Sequence, residues 1–388
     1  MAAHSQLRSA VVGTGFIGAV HVDALRRIGV YVLGVVGSSA ERASARAVEA
    51  GLPPAYPSLE AMLEDDRVDV VHLATPNHLH AEQVRAVLAA GKHVVCEKPL
   101  GMSSEQTGEL LALAERSGLV HALNFNIRYY AQLRQARRMI AEGAIGPVHQ
   151  VTGAYLQDWL LEETDWNWRL DPELGGPLRA VADIGSHWID LVGHLIGQQV
   201  ESVAADLTTV LPERREPVGP TQTFGVSAGG ETVARTVATE DIAGILLRFS
   251  GGARGVLALS QMSAGRKNSM RVQVDGASGS LAFDGERPEE LWVGRRSGAS
   301  ELRLRDPGDP FAQATPDALP AGHAQGFAET FRDLYREIYA AIAAGGGPAA
   351  AATYPTFADG HRQALVAEAI QRSALEQRWC PISEEVTR

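Results

Sequence analysis

The sequence predicts an α/β protein of two domains. The first is a doubly wound parallel sheet, and the second is an α+β domain on a large, mostly antiparallel open sheet. Three observations carry this. The chain has 388 residues, more than one hydrophobic core usually supports. Residues 8–125 alternate short apolar runs with helical patterns, the signature of right-handed crossovers onto a parallel sheet. Beyond residue 127 the rhythm changes to alternating stretches separated by turn residues, with helices only before and after them.

In the first domain, expected at 1–127, the apolar runs are 10–13, 30–36, 68–74, 93–96 and 120–125. They are continuous rather than alternating, as in strands covered on both faces. Between them, residues 18–28, 39–50, 58–64, 80–90 and 103–117 carry helical spacing. In the second domain, expected at 128–388, residues 131–142 read as a helix stopped by Gly143, and 185–195 as another. Strands are expected at 200–210, 236–249, 255–262, 270–275, 279–283 and 290–295. "FSGGARG" and "VDGASGS" supply turns. Helices then follow at 324–344 and 356–377. The interval 212–234, rich in Pro, Gly and Thr, reads as a loop.

Composition narrows the function. Thirty-five basic and 46 acidic side chains give a net charge of −11, which argues against a nucleic-acid partner. Two cysteines far apart in sequence exclude a disulfide framework, and no cluster of metal-ligand spacing is present. No stretch reaches the ~20 apolar residues of a membrane span, and MAAHSQLRSA lacks the apolar core of a signal peptide. A cytoplasmic protein without membrane association is the expectation.

"VVGTGFIGAV" places Gly13, Gly15 and Gly18 in G-x-G-x-x-G spacing between a strand and a helix. That arrangement lets backbone approach a pyrophosphate at the positive end of the helix dipole. With the surrounding strand–helix units it predicts a dinucleotide-binding Rossmann domain. Its loop would be Gly13, Thr14, Gly15, Phe16, Ile17 and Gly18. Where a carboxylate usually accepts the ribose 2′-hydroxyl, this chain has Gly37, Ser38 and Ser39, followed by Arg42. Small hydroxyls and a guanidinium suit a 2′-phosphate, so NADP is slightly favoured over NAD. The alternative is a solvated helix start capped by Ser38 or Ser39.

Ligands of open α/β sheets bind outside the carboxyl ends of the strands. "VHLATPNHLH" and "HVVCEKPL" each end a strand, which puts Thr75, Pro76, Asn77, Glu97 and Lys98 on the rim occupied by the glycine loop. A lysine there can polarise a substrate oxygen. In "ADIGSHWID", Asp183 and His187 are four apart and can share a helix face. Gly185 would leave space beside a ligand. A histidine suits proton exchange with a hydroxyl. A capping aspartate and a satisfied core histidine are the structural alternative.

The segments "GTGFIG", "ATPNHLHAEQ", "AGKHVVCEKPL" and "GGPLRAVADIGSHWIDL", in this order, resemble the Gfo/Idh/MocA oxidoreductases over nearly the whole chain. The resemblance implies catalytic roles for Lys98, Asp183 and His187, with no metal. It implies further cofactor contacts from His80, Asn126 and Arg169. Substrate contacts would come from Lys98, Arg128, Asp183, His187 and His323. Independently, the aromatic and polar run "YLQDWLLEETDWNWRLD" offers Tyr155, Trp159 and Arg169 to a sugar ring or nicotinamide, with packing in a core or an oligomer contact as the alternative. "YLQDWL" and "SQMSAGRKNSMRVQVDGASGSLAFDGERPEELWVGRR" resemble the branch of levoglucosan-dehydrogenase-like sugar dehydrogenases. That implies a pyranose, anhydrosugar or glycoside oxidised at a ring carbon. Inositol dehydrogenase, a non-sugar reductase and a non-catalytic NAD(P) sensor stay open as alternatives. A homodimer or homotetramer assembled through the second sheet is also implied.

Overall fold

A computed structural model describes residues 6–218, 230–313, 315–316, 318–346 and 352–383. The chain divides into two compact units, residues 1–129 with 327–364, and residues 130–326 with 365–388.

The first unit holds β1 (Arg8–Val12), α1 (Phe16–Arg27), β2 (Tyr31–Val36), α2 (Ala40–Glu49), α3 (Leu59–Leu63), β3 (Val70–Leu73), α4 (Asn77–Ala89), β4 (His93–Cys96), α5 (Ser104–Ser117) and β5 (His121–Leu123). The strands form one parallel sheet in the order β2-β1-β3-β4-β5. Serine side chains set three helix starts: Ser39, Ser58 and Ser103 accept from the N–H groups of Arg42, Ala61 and Gln106. Alternate strand residues serve opposite faces. Val11, Val70, Val95 and Ala122 join one core cluster, and Ala10, Val12, Val71, Leu73, Val94 and Leu123 the other. The sheet is therefore buried on both sides, and its strands read as unbroken apolar runs.

The first cluster is completed by Phe331, Leu334, Tyr335, Ile338 and Tyr339 of the helix Phe327–Ala343. Residues 327–364, which the sequence reading places in the second domain, thus pack with the first unit. The helix turns its apolar stripe onto the sheet's cluster, a pairing that periodicity along the chain cannot reveal.

The second unit continues with α6 (Ala131–Ala141), β6 (Val148–Leu156), α7 (Pro172–Gly175), a π-turn at Val181–Gly185, α8 (Ser186–Ile196) and strands β7 (Val200–Thr208), β8 (Glu213–Pro217), β9 (Thr232–Thr236), β10 (Ile242–Phe249), β11 (Arg254–Ser260), β12 (Ser269–Gly276), β13 (Ser280–Asp284), β14 (Glu290–Gly294), β15 (Glu301–Leu304) and β16 (Cys380–Pro381). Nine of them form one sheet, ordered β15-β14-β13-β12-β6-β11-β10-β7-β16. Every pairing is antiparallel except β6 with β11.

β6, inside that sheet, has no counterpart among the expected strands. Its burial does not alternate cleanly, because Gly153 leaves room for Trp188. A Cβ at Gly153 would lie 2.5 Å from the indole nitrogen, which itself donates to Arg271 O at 2.8 Å. The interval 212–234 is corrected as well. Its ends pair as the antiparallel hairpin β8–β9, held by backbone bonds that polar composition does not forbid. Residues 219–229 of that interval lie outside the described residues.

Candidate active site

In the first unit the glycine loop has the geometry that its spacing predicts. Gly13 has φ +113°, and a Cβ there would lie 2.3 Å from Ala74 O. A Cβ at Gly18 would lie 1.9 Å from Gly13 O. Both positions need glycine for close packing. At Gly15 the Cβ position is open, with nothing within 4 Å. Gly15 also starts α1 and, as a glycine, supplies no side-chain cap. Thr14 lies between, and its carbonyl accepts from Arg46 Nε at 3.4 Å. This open, uncapped helix start fits a pyrophosphate.

The strand ends meet the loop through Ala74, and β4 pairs with β3 up to Leu73↔Cys96. Lys98 therefore leaves the sheet at the same end as Gly13, followed by a cis peptide to Pro99. Thr75 donates its hydroxyl to Gln83 Oε1 at 2.6 Å. Pro76 precedes α4, and Asn77 is buried in its first turn. His80 is buried too. Its ring nitrogens lie 2.7 Å from Pro99 O and 2.9 Å from Thr75 O, so it clasps the two strand-end turns together. Burial lowers its pKa, while the two carbonyls and Glu97 oppose the shift.

Glu97 points inward. Oε1 accepts from His21 Nε2 at 3.1 Å and from Asn124 Nδ2, while Oε2 accepts from the N–H of Lys98 at 3.2 Å. Behind it, His21 Nδ1 lies 3.1 Å from His72 Nδ1, and His72 Nε2 lies 3.0 Å from the Tyr339 hydroxyl. Burial, then the neighbouring His21, hold the His72 pKa well below the usual histidine range. Asn126 is buried against Thr330, with Nδ2 donating to Oγ1 at 2.7 Å. Arg128 is buried and pairs with Asp359 at 2.6 Å.

After β2, Ser39 is engaged as the α2 cap, accepting from Arg42 N at 3.3 Å. Ser38 and Arg42 are exposed. Gly37 has no room for a side chain: its Cβ would meet Ala43 Cβ at 2.8 Å and Thr14 Oγ1 at 3.2 Å. Arg46, which the sequence reading passed over, is the cation that reaches the glycine loop. One helical turn beyond Arg42, it was findable from i, i+4 spacing alone.

In the second unit, Asp183 lies on the π-turn and His187 in the first turn of α8. Asp183 Oδ1 accepts from Arg169 Nε at 3.1 Å, and Oδ2 from Gln261 Nε2 at 2.9 Å. Arg169 is aligned by Asn167 Oδ1, which accepts from its N–H at 3.2 Å and from Nη1 at 3.1 Å. Its guanidinium also covers the Trp168 ring at 4.4 Å. His187 is half-buried. A Cβ at Gly185 would lie 2.7 Å from Leu259 Cδ1, so the space beside it is taken up by that leucine, which would have to shift.

Tyr155 is buried, and its hydroxyl donates to Asn268 Oδ1 at 2.8 Å. Burial pushes its pKa far upward. Gln157 joins the same Asn268 at 3.2 Å and accepts from Trp159 Nε1 at 2.9 Å. His323 is exposed on a turn, its ring 3.4 Å from Ala321 O. Asn167, Gln261 and Asn268 are the site-building residues here that the sequence reading did not reach. Gln261 and Asn268 act through contacts distant in sequence, for which no motif exists, whereas Asn167 acts locally, two residues before Arg169. Among the described residues no group of three His, Cys, Asp or Glu is placed to hold a metal. No described helix is long and apolar enough to cross a membrane.

Known proteins share both halves of this arrangement. The family description "Oxidoreductase family, NAD-binding Rossmann fold" matches residues 7–125, and "GFO/IDH/MocA C-terminal domain" matches residues 133–282. Levoglucosan dehydrogenase of Pseudarthrobacter phenanthrenivorans is 31% identical over 395 residues, covering 97% of this chain and 98% of that protein. The structure of a levoglucosan dehydrogenase in complex with NADH and L-sorbose superposes with a TM-score of 0.86 at 29% identity, covering 98% of this chain and 99% of the other. An oxidoreductase domain protein from Kribbella flavida gives 0.87 at 32%, covering 98% and 100%. The chain belongs to the Gfo/Idh/MocA oxidoreductases, a family with an NAD-binding Rossmann domain.

Proposed function

We propose that this protein is an NAD(P)-dependent dehydrogenase that oxidises a ring hydroxyl of a pyranose-like sugar, an anhydrosugar or a glycoside. The observation that carries the reading is Lys98. It leaves the sheet at the end where the uncapped glycine loop lies, the end where open α/β sheets bind ligands. The full-length similarity to a levoglucosan dehydrogenase supports the sugar class.

A bound nicotinamide supplies the two-electron acceptor. The loop Gly13–Gly18 holds the pyrophosphate with backbone N–H groups. Lys98 stabilises the negative charge that develops on the reacting oxygen. His187 takes the hydroxyl proton during oxidation and returns it during reduction. Asp183, fixed by Arg169 and Gln261, accepts a hydrogen bond from the sugar and orients it. NADP is favoured over NAD, because Gly37, Ser38 and Ser39 directly after β2 carry no carboxylate to repel a 2′-phosphate and Arg46 donates to Thr14 O.

Self-association through the second sheet is supported by its exposed face. Leu246, Val256, Trp292, Leu302 and Leu304 are 38–64% exposed there, and Leu246 pairs with Val256 and Trp292 with Leu302. Light scattering that gave a monomer mass would end that part of the reading. For the activity itself, the test is reduction of NAD+ and NADP+ with a panel of monosaccharides, anhydrosugars, glycosides and inositols. Turnover with a pyranose or anhydrosugar is expected, and no absorbance change with any of them would reject it.

A further inference from the structure

We propose that Arg214 is a positioning residue for Asp183, acting by two separate paths from the hairpin β8–β9. The inference rests on the reading that Asp183 orients the sugar. Arg214 is the fully buried side chain of a hairpin strand whose other residues are exposed or half-buried.

The first path runs through acids. Arg214 Nη2 donates to Asp241 Oδ1 at 2.8 Å, and the same oxygen receives Arg179 Nη2. The adjacent Glu240 accepts from the N–H of Arg179 at 3.0 Å and from that of Val181 at 2.8 Å. Those N–H groups open the π-turn that carries Asp183. The second path runs through backbone. Arg214 donates to Leu160 O at 2.9 Å, to Glu162 O at 2.9 Å and to Asp165 O at 3.4 Å. Arg215 N adds a bond to Glu163 O at 2.8 Å. This fixes the segment leading into Asn167, and Asn167 aligns Arg169 on the Asp183 carboxylate. Asp183 is thus held from the turn beneath it and from the guanidinium beside it, and the two supports meet at one side chain.

A buried set of two guanidiniums and two carboxylates contributes little net stability, because desolvation offsets attraction. What it does supply is fixed geometry. Only the planar fork of arginine reaches the carboxylate and three carbonyls together. Lysine keeps the charge but loses the fork.

The full-length Arg214→Lys and Arg214→Met variants test this. The measurements are steady-state kinetics with a sugar the parent oxidises, dinucleotide affinity by fluorescence, melting, and hydrogen exchange over residues 157–171 and 179–187. Arg214→Lys should raise the sugar KM by roughly tenfold or more and lower kcat, with dinucleotide affinity within about twofold. Both segments should exchange faster, and Arg214→Met should go further in the same direction. If Arg214→Met does not fold, Arg214→Lys alone decides. Unchanged sugar KM and exchange in folded Arg214→Lys would overturn the proposal. So would rates that fall only in proportion to the folded fraction. If the parent oxidises no sugar, the proposed function fails, and exchange over 179–187 still decides the anchoring: faster supports it, unchanged rejects it.

Discussion

His21 Nε2 donates to Glu97 Oε1 at 3.1 Å, between two buried side chains on different elements. A carboxylate only accepts, so that nitrogen carries its proton. One residue belongs to the helix that opens at the glycine loop, and the other precedes Lys98. The bond therefore fixes the phosphate-binding helix against the turn that carries the lysine. Removing the donor leaves a buried carboxylate short of a partner, at a cost of ~1–3 kcal/mol. His21→Leu should lower kcat by roughly tenfold or more and lower the melting temperature. His21→Gln, whose amide can still donate, should recover most of both. Equal losses in the two variants would show that ring volume, not the bond, matters.

Lys98→Met should leave dinucleotide affinity within a few-fold while cutting turnover by at least ~100-fold, the usual scale for losing a charge stabiliser. Fluorescence titration and initial rates measure the two quantities separately. Near-normal turnover in a folded variant would remove Lys98 from the chemistry.

Two arginines of α2 offer a contrast. Arg46 touches the glycine loop through Thr14 O, whereas Arg42 is exposed. Arg46→Ala should weaken NADP selectively by ~1.5–3 kcal/mol, the loss of a charge-assisted contact, with a smaller effect from Arg42→Ala. The ratio of Michaelis constants for NADP and NAD reads this directly. An NAD preference in the parent would overturn the assignment.

For His187, oxidation in the parent should rise with pH as the imidazole loses its proton. His187→Asn should abolish that limb and slow the reaction by roughly 100- to 10,000-fold, with little change in melting. An intact limb with a lowered melting temperature would make His187 a packing residue instead.

Acid stability tests the buried histidines. Burial holds the His121 pKa down at about 4, and its ring packs 4.9 Å from that of Phe357. The folded pKa lies below the unfolded value of ~6.5, so the unfolded chain binds more protons in that window. Stability should fall as pH drops from ~6.5 toward ~4. Between those limits this one group contributes roughly 3 kcal/mol. His121→Gln should flatten the dependence of denaturation midpoint on pH in that window.

What the sequence made legible follows from how locally each feature is encoded. The glycine loop and the five parallel strands depend on neighbours in the chain, and they stand where spacing puts them; Ser39 caps α2, the alternative to its holding a 2′-phosphate. Lys98 was legible for the same reason, because it follows a recognisable strand end. The bonding of Asp183 was not, since Arg169, itself a candidate from the sequence, and Gln261 reach its two oxygens from separate segments. β6 was hidden by Gly153, whose lack of a side chain serves Trp188. The hairpin β8–β9 was hidden because most of its side chains face water, while Arg214 alone turns inward.

The return of residues 327–364 to the first unit bears on how the protein is made. His72 meets Tyr339, and Asn126 meets Thr330, so the first unit lacks these partners until its last segment leaves the ribosome. At ~5–20 residues per second, the intervening second sheet takes roughly 10–40 seconds to synthesise. Throughout that interval the face awaiting Phe331, Leu334 and Ile338 is uncovered, a surface for chaperones to hold. A nascent chain stalled after residue 326 should therefore be captured by holdases, whereas one stalled well beyond residue 364 should escape them.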